Sequence, residues 1–246
     1  MPNRENKTRA GDGHYLVNLQ RWRSMTALPA CLVTLVAVAV SIAGGIAEFV
    51  QDGLPAANLF QYLTSNAGLL AGLGAAFIFP YAVEGIRRKR FTYPKWVALL
   101  HYSGTACATL IMLFSVTFIA VTDPQMAFGG NNLQLHIICP LLILLCFFLV
   151  ESGRRYTLRD AFICQIPFWI YAAVYLVQVL IRGKERGGWA DLYHLTEYLP
   201  WYVSMILLLL LSMGVTLGLR RLYNLLADAR GRKLTAGWGE IGRAHV

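Results

Sequence analysis

Long apolar runs separated by short polar segments dominate this chain, and their lengths fit helices that cross a membrane. A helix that spans a bilayer needs about 20 apolar residues. The runs that meet this need are Thr26–Val50, Leu59–Glu84, Trp96–Val121, Leu133–Val150, Arg159–Ile181 and Leu199–Leu219. The pattern therefore predicts an all-α, polytopic membrane protein built as a bundle of six transmembrane helices.

The apolar runs leave no segment long enough to bury a separate soluble core. We expect an N-terminal arm of residues 1–25, a transmembrane domain of residues 26–222 and a tail of residues 223–246. The last six residues, Ile241–Val246, match the translation of a common sequencing-adapter read. We therefore expect this segment to be an artefact, and His245 receives no functional weight.

The distribution of charge predicts the orientation of the chain in the membrane. Only 14% of residues are charged, and the net charge is +9. The basic groups fall on one side if the spans alternate, and they cover Arg4–Arg23, Arg87–Lys95, Arg154–Arg159 and Arg220–Arg243. Cytoplasmic loops carry an excess of lysine and arginine. The pattern predicts cytoplasmic termini and contacts with membrane lipids, and it argues against nucleic acid as a partner.

Small side chains inside the predicted spans are expected to serve packing. Gly68 and Gly72 form a small-xxx-small pair, which is typical of close helix contacts in membranes. The chain has no CxxC pair, so a disulfide framework is not expected. Its cysteines all lie inside predicted spans, at Cys31, Cys107, Cys139, Cys146 and Cys164.

Thr64 and His136 share a predicted depth in the membrane. By the helical rise, Thr64 lies roughly 9 Å past Asn58 and His136 roughly 6 Å past Asn132, in spans that run in the same direction. A hydroxyl and an imidazole are the minimum for a base-activated nucleophile, and polar residues at membrane depth are functional candidates. In the alternative interpretation, both side chains form only structural hydrogen bonds.

Other polar residues near this pair are supporting candidates. Cys139 lies one helical turn from His136 and is an alternative nucleophile, although packing is its ordinary role. Asn66 and Asn131 are candidate donors to an oxyanion, and capping of loops is the alternative role.

More distant polar residues are expected to be structural. We expect His101 to form a structural hydrogen bond, because it lies at the wrong depth for Thr64. His194 and Glu197 precede the last span, where solvation is the default even though both can approach the mouth of a site. Tyr171 and Tyr175 lie one turn apart and are expected to belong to the core.

Two short segments resemble the androgen-induced-gene family. Gln61–Thr64 opens the second span like the family's Tyr-Leu-Thr segment, and Leu135–Pro140 places a histidine shortly before a proline. The resemblance covers about Thr26–Tyr223, with six spans and cytoplasmic termini. The family includes hydrolases of fatty-acid esters of hydroxy fatty acids and bacterial relatives. The resemblance implies Thr64 as nucleophile and His136 as base, and it leaves the substrate open.

We therefore predict an intramembrane acyl-ester hydrolase that acts on a lipid or fatty-acyl ester. The chain has no HExxH or GxSxG motif, so neither a metal site nor a serine-hydrolase elbow is expected. Ester cleavage needs only a nucleophile, a base and water, so no cofactor is expected. The alternative function is non-enzymatic lipid binding or transport. The oligomeric state is not predicted.

Overall fold

The computed structural model describes residues 5–88, 91–150, 154–197 and 199–243, and it describes no side chains for residues 5–22, 126 and 230–243. The predicted basic residues Arg4, Lys89 and Arg90, together with His245, lie outside the described residues. The described residues form helices and loops and contain no strand. The all-α prediction is confirmed.

The main helices follow the apolar runs along the chain. They are α1 (Glu5–Gln51), α2 (Leu63–Arg88), α3 (Lys95–Phe114), α4 (Cys139–Leu149), α5 (Leu158–Leu176) and α6 (Trp201–Arg243). Turns of π-helix extend α3 and α5 and precede α4, at Ser115–Ile119, Val177–Arg182 and Gln134–Ile138. Short helical turns connect these elements at Ala56–Gln61, Ala120–Thr122, Pro124–Phe128 and Lys184–Arg186.

Within the described residues, 5 helices are long and apolar enough to cross a membrane, and they make this a multi-pass membrane protein. These stretches are Arg23–Gln51, Leu63–Arg88, Lys95–Thr122, Leu158–Arg182 and Trp201–Ala229. The predicted fourth span corresponds to a shorter apolar helix, Gln134–Leu149. It is shorter because the chain before it forms the separate helix Pro124–Phe128 and a turn instead of continuing the apolar helix.

The start of α5 is fixed by a capping box. The Thr157 hydroxyl accepts a hydrogen bond from Asp160 N, and the Asp160 carboxylate accepts one from Thr157 N. This reciprocal pair satisfies backbone donors that have no partner within the helix. The buried Asp160 carboxylate also lies 2.6 Å from Lys95 Nζ at the start of α3, so it connects the beginnings of two helices.

Glycines of α2 and α3 let these two helices approach closely. A Cβ atom at Gly74 would lie 2.6 Å from His101 Cα, and one at Gly104 would overlap the backbone of Ala71. The predicted glycine pair is only partly correct. Gly72 does pack against Val38 of α1, but nothing lies within 4 Å of the Cβ position at Gly68. Small residues of α2 therefore serve contacts with α3 at Gly74 and with α1 at Gly72.

Buried aromatic rings fill the end of the bundle where α3 and α5 begin. Tyr102, Phe147, Tyr156 and Tyr223 are all buried there. Tyr102 and Tyr156 have ring centroids 4.6 Å apart, and the Tyr102 hydroxyl donates to the Thr216 carbonyl at 2.5 Å. We call the opposite end, where α2 and α6 begin, the site end. The dense packing at the first end leaves the larger cavities to the site end.

The Nε2 atom of His101 does not form the structural hydrogen bond that was predicted for this residue. The residue is 2% exposed, and its Nε2 has no hydrogen-bond partner among the described residues. The ring instead packs against Phe147, with centroids 5.7 Å apart. All five cysteines are buried and unbridged, in keeping with a packing role.

Candidate functional site

Thr64 is the second residue of α2 and lies at the site end of the bundle. Tyr62, just before the helix, has extended backbone angles of φ −92° and ψ 133°. The chain therefore changes from a turn to a helix immediately before Thr64. The first N–H groups of a helix have no acceptor within it, so Thr64 lies at the positive end of the α2 dipole.

His136 occupies the π-helical turn Gln134–Ile138 that precedes α4. Turns of π-helix insert an extra residue into a helix and occur often at functional sites. The Nδ1 atom of His136 is buried and has no hydrogen-bond partner among the described residues. No structural hydrogen bond therefore engages the imidazole at this nitrogen.

Two cavities meet at Thr64 and His136. The first, which we call the apolar cavity, has a volume of about 240 Å³ and extends between α3, α5 and α6. Its apolar lining includes Leu110, Phe114, Phe168, Ala172, Met205 and Leu208. Its size and lining suit a hydrocarbon chain, because apolar surface gains free energy when it leaves water.

The second cavity, which we call the acidic cavity, has a volume of about 460 Å³. Its lining includes the acidic residues Glu48, Asp52 and Asp123, all of them exposed. Glu48 lies in the last turns of α1, and Asp123 follows the extension of α3. This cavity therefore provides a polar approach to the end of the apolar cavity.

The wall between the two cavities contains the predicted pair. Thr64 and His136 line both cavities, as do the loop residues Tyr193 and His194. Thr64 and His136 are far apart in sequence but line the same two cavities. A group bound across this wall has an apolar part on one side and a polar part on the other.

Two tyrosines hold the backbone around Thr64, and one of them, Tyr171, was expected to belong to the core. Leu63 N donates to the Tyr193 hydroxyl at 2.8 Å, and the Tyr171 hydroxyl donates to the Gln61 carbonyl at 2.6 Å. The two hydroxyl oxygens are 3.3 Å apart. Desolvation raises the pKa of Tyr193, so its phenol stays protonated beside the Tyr171 hydroxyl.

Asp191 organises the loop that carries Tyr193. Its carboxylate accepts hydrogen bonds from Leu195 N at 3.0 Å and from Thr196 N at 2.9 Å. It also accepts one from the Tyr175 hydroxyl at 3.1 Å. Desolvation opposes the ionised form, but the hydrogen bonds from Thr196 and Leu195 outweigh it and hold the pKa of Asp191 below its ordinary value. The loop is thereby anchored to α5.

The other candidates from the sequence, Asn66, Asn131 and Cys139, differ in their contacts near this site. Asn66 donates through Nδ2 to the carbonyls of Phe60 and Tyr62, both at 2.8 Å, which is a capping interaction. Asn131 donates to the Ser41 carbonyl at 3.5 Å. Neither amide lines the apolar or the acidic cavity. Cys139 is 3% exposed and lines a cavity of about 10 Å³ together with Thr64.

Several site residues lacked a clear signal in the sequence. Tyr193 and Ser115 line the apolar cavity, and Ser65 lines the acidic one. His194 lines both, its Nδ1 contacts the Glu197 carboxylate, and its φ is positive at 51°. The spacing of Tyr171 and Tyr175, one helical turn apart, indicated a shared helix face but not its contact with α2.

The comparisons with known proteins add no relative to this description. No family model matches the chain, and neither the curated proteins nor the solved structures gave a match.

Proposed function

We propose that this protein is an intramembrane acyl-ester hydrolase, with Thr64 as the nucleophile and His136 as the general base. The observation that carries the proposal is that both side chains line the wall shared by an apolar and an acidic cavity. An ester bound across that wall places its acyl chain in the apolar cavity and its carbonyl group beside Thr64. The resemblance of the Thr64 and His136 segments to the androgen-induced-gene family supports the same roles.

The reaction needs two acyl transfers. His136 accepts the hydroxyl proton of Thr64 while the threonine oxygen attacks the ester carbonyl carbon. The ester C–O bond breaks, and the alcohol leaves with the proton from His136. Water then gives a proton to His136 and attacks the acyl-threonine ester. The fatty acid leaves, and the threonine oxygen regains the proton.

The first turn of α2 is our candidate for stabilising the negative charge of the intermediate. The N–H groups of Thr64 and Ser65 belong to the first residues of a 26-residue helix, where no intrahelical acceptor exists. Backbone donors and the helix dipole at such a position favour an anion. This assignment replaces the side-chain amides of Asn66 and Asn131, since neither of them lines the two cavities.

We further infer six membrane crossings and cytoplasmic termini. The shorter helix Gln134–Leu149 would provide the sixth crossing, since it packs between α1 and α3. An even number of crossings brings both termini to one side, and the excess of basic residues there favours the cytoplasm. In this orientation the site end faces away from the cytoplasm, and substrates enter from the outer leaflet.

Covalent labelling tests the mechanism. A fluorophosphonate with a lipid-like chain should label the purified protein in detergent, and labelling and esterase activity should disappear in Thr64→Ala and His136→Ala. Thr117→Ala is the matched control, because this exposed hydroxyl on the extension of α3 donates to the Leu113 carbonyl and lines neither cavity.

Three outcomes would contradict the proposal. Labelling and activity that persist in both folded variants would refute the Thr–His mechanism. Loss in Cys139→Ala with retention in Thr64→Ala would move the nucleophile to Cys139. Absence of any labelling or hydrolysis, with fatty-acid binding that Ala172→Phe abolishes, would favour the non-enzymatic lipid-binding alternative.

A further inference from the structure

The acidic cavity has a charge pattern that selects among possible headgroups. Its lining includes Glu48, Asp52 and Asp123. Among the described residues, no lysine or arginine lines it. Carboxylates of one sign around a cleft with low-dielectric walls raise the local concentration of cations and repel anions. A substrate with a negatively charged headgroup would therefore be disfavoured at this end of the site.

A buried hydroxyl without a partner also lies at this cavity. Ser65 is 1% exposed, lines the acidic cavity, and its Oγ has no hydrogen-bond partner among the described residues. A buried hydroxyl is normally paired, because leaving it unpaired costs free energy. Ser65 follows Thr64 in the sequence, so an acceptor oxygen on a bound ester would satisfy it next to the proposed nucleophile.

Aromatic rings border the same cavity. Phe49 and Tyr62 both line it, and they form an edge-to-face pair with ring centroids 6.0 Å apart and an interplanar angle of 73°. Aromatic faces attract organic cations through the ring quadrupole, and quaternary ammonium groups are bound in this way. The acidic cavity thus combines carboxylates with aromatic surface.

Among the described residues, the acidic cavity does not have the clustered ligand set of a metal site. No group of three or more His, Cys, Asp or Glu side chains within the described ranges is arranged to hold a metal ion. A metal ion needs several ligands at one point. An organic ammonium ion has a diffuse charge and needs only the field and a surface to contact. The arrangement therefore suits an organic cation.

We infer that the acidic cavity binds a cationic headgroup, so that the substrate is a long-chain acyl ester of a small amino or quaternary ammonium alcohol. This inference rests on the proposed hydrolase function. The acyl chain occupies the apolar cavity, the ester lies at Thr64 and Ser65, and the ammonium group lies among Glu48, Asp52 and Asp123. The acidic cavity therefore selects among substrates by the charge of the alcohol that leaves in the reaction.

Three esters with one common acyl chain test the inference by hydrolysis. The choline ester carries a cation, the neohexyl ester replaces its nitrogen with carbon, and the glycolate ester carries an anion. We expect kcat/KM to be about tenfold higher for the choline ester than for the neohexyl ester at low salt, and lowest for the glycolate ester. The advantage should disappear in the combined variant Glu48→Gln, Asp52→Asn, Asp123→Asn.

Glu185→Gln is the control for a change of net charge. Glu185 is exposed, lies in the turn Lys184–Arg186 at the site end, and lines neither cavity, so its variant should keep the preference. Equal rates for the choline and neohexyl esters in the native protein, or a preference for the glycolate ester, would overturn the inference.

A binding measurement separates this inference from the proposed mechanism. Thr64→Ala protein in neutral detergent micelles is titrated with the choline and neohexyl esters by calorimetry. Tighter binding of the choline ester, lost in the carboxylate variant, supports the headgroup site even if the nucleophile proves to be another residue. Equal affinities overturn the headgroup site, whatever the labelling experiments show about Thr64.

Discussion

The hydroxyl of Tyr193 accepts a 2.8 Å hydrogen bond from the backbone N–H of Leu63, the residue that precedes Thr64. The first N–H groups of a helix need partners from outside that helix, and here the partner comes from a loop before the last helix. Tyr171 extends the contact through its bond to the Gln61 carbonyl. The position of Thr64 therefore depends on the loop residue Tyr193, which lies 130 residues after Leu63 in the chain.

Replacing Tyr193 with phenylalanine should impair catalysis more than binding. The Tyr193→Phe variant leaves Leu63 N–H without its partner, at a cost of about 1 kcal/mol, and loosens the start of α2. We expect kcat to fall by about tenfold with a smaller change in KM, together with a slightly lower melting temperature. Tyr202→Phe is the control, because Tyr202 is 53% exposed. An unchanged kcat in folded Tyr193→Phe protein would contradict this role.

Asp191 should make the loop sensitive to acid. Its pKa is held below the ordinary value of 3.8, so the ionised form stabilises the folded state. That contribution is fully present above 3.8 and is lost as the pH falls through the lowered pKa. Asp191→Asn should therefore melt below the native protein at neutral pH, and the two melting curves should converge in acid. A constant difference at all pH values for Asp191→Asn would contradict the assignment.

The contact between α2 and α3 should not tolerate a methyl group at Gly104. A Cβ atom there overlaps the Ala71 backbone, and overpacking typically costs about 1–3 kcal/mol. We expect Gly104→Ala to lower the melting temperature by several degrees. Gly68→Ala has nothing within 4 Å of its new methyl group and should be neutral or slightly stabilising. Equal melting temperatures for the two variants would show that the helices can separate at little cost.

The apolar cavity should set the length of the acyl chain. Ala172 lines this cavity, and Ala173 beside it does not. Ala172→Leu fills space that the end of a long chain would occupy, and each methylene denied burial costs about 0.8 kcal/mol. We expect kcat/KM for the longest esters to fall by about tenfold, with little change for short ones. Ala173→Leu should leave the chain-length profile unchanged. If kcat/KM depends on acyl-chain length in the same way for Ala172→Leu and the native protein, the acyl chain binds outside this cavity.

Much of the architecture could be predicted from the sequence because membrane-spanning helices form locally. Backbone groups in a bilayer must be bonded within their own segment, so apolar runs such as Leu63–Arg88 become helices wherever they occur. The helical rise also predicts similar depths for Thr64 and His136. The depth of a residue in its own helix depends on local spacing alone.

Only the tertiary structure decided which faces of the helices contact one another. The approach of Gly104 to Ala71 and the bond from Leu63 to Tyr193 depend on how each helix is rotated about its axis, which apolar content does not specify. The shorter Gln134–Leu149 helix reflects the separate turn before it. The acidic cavity joins residues from α1, α2, the extension of α3 and a loop. Side chains so far apart in sequence come together only through packing, because no local rule relates their positions.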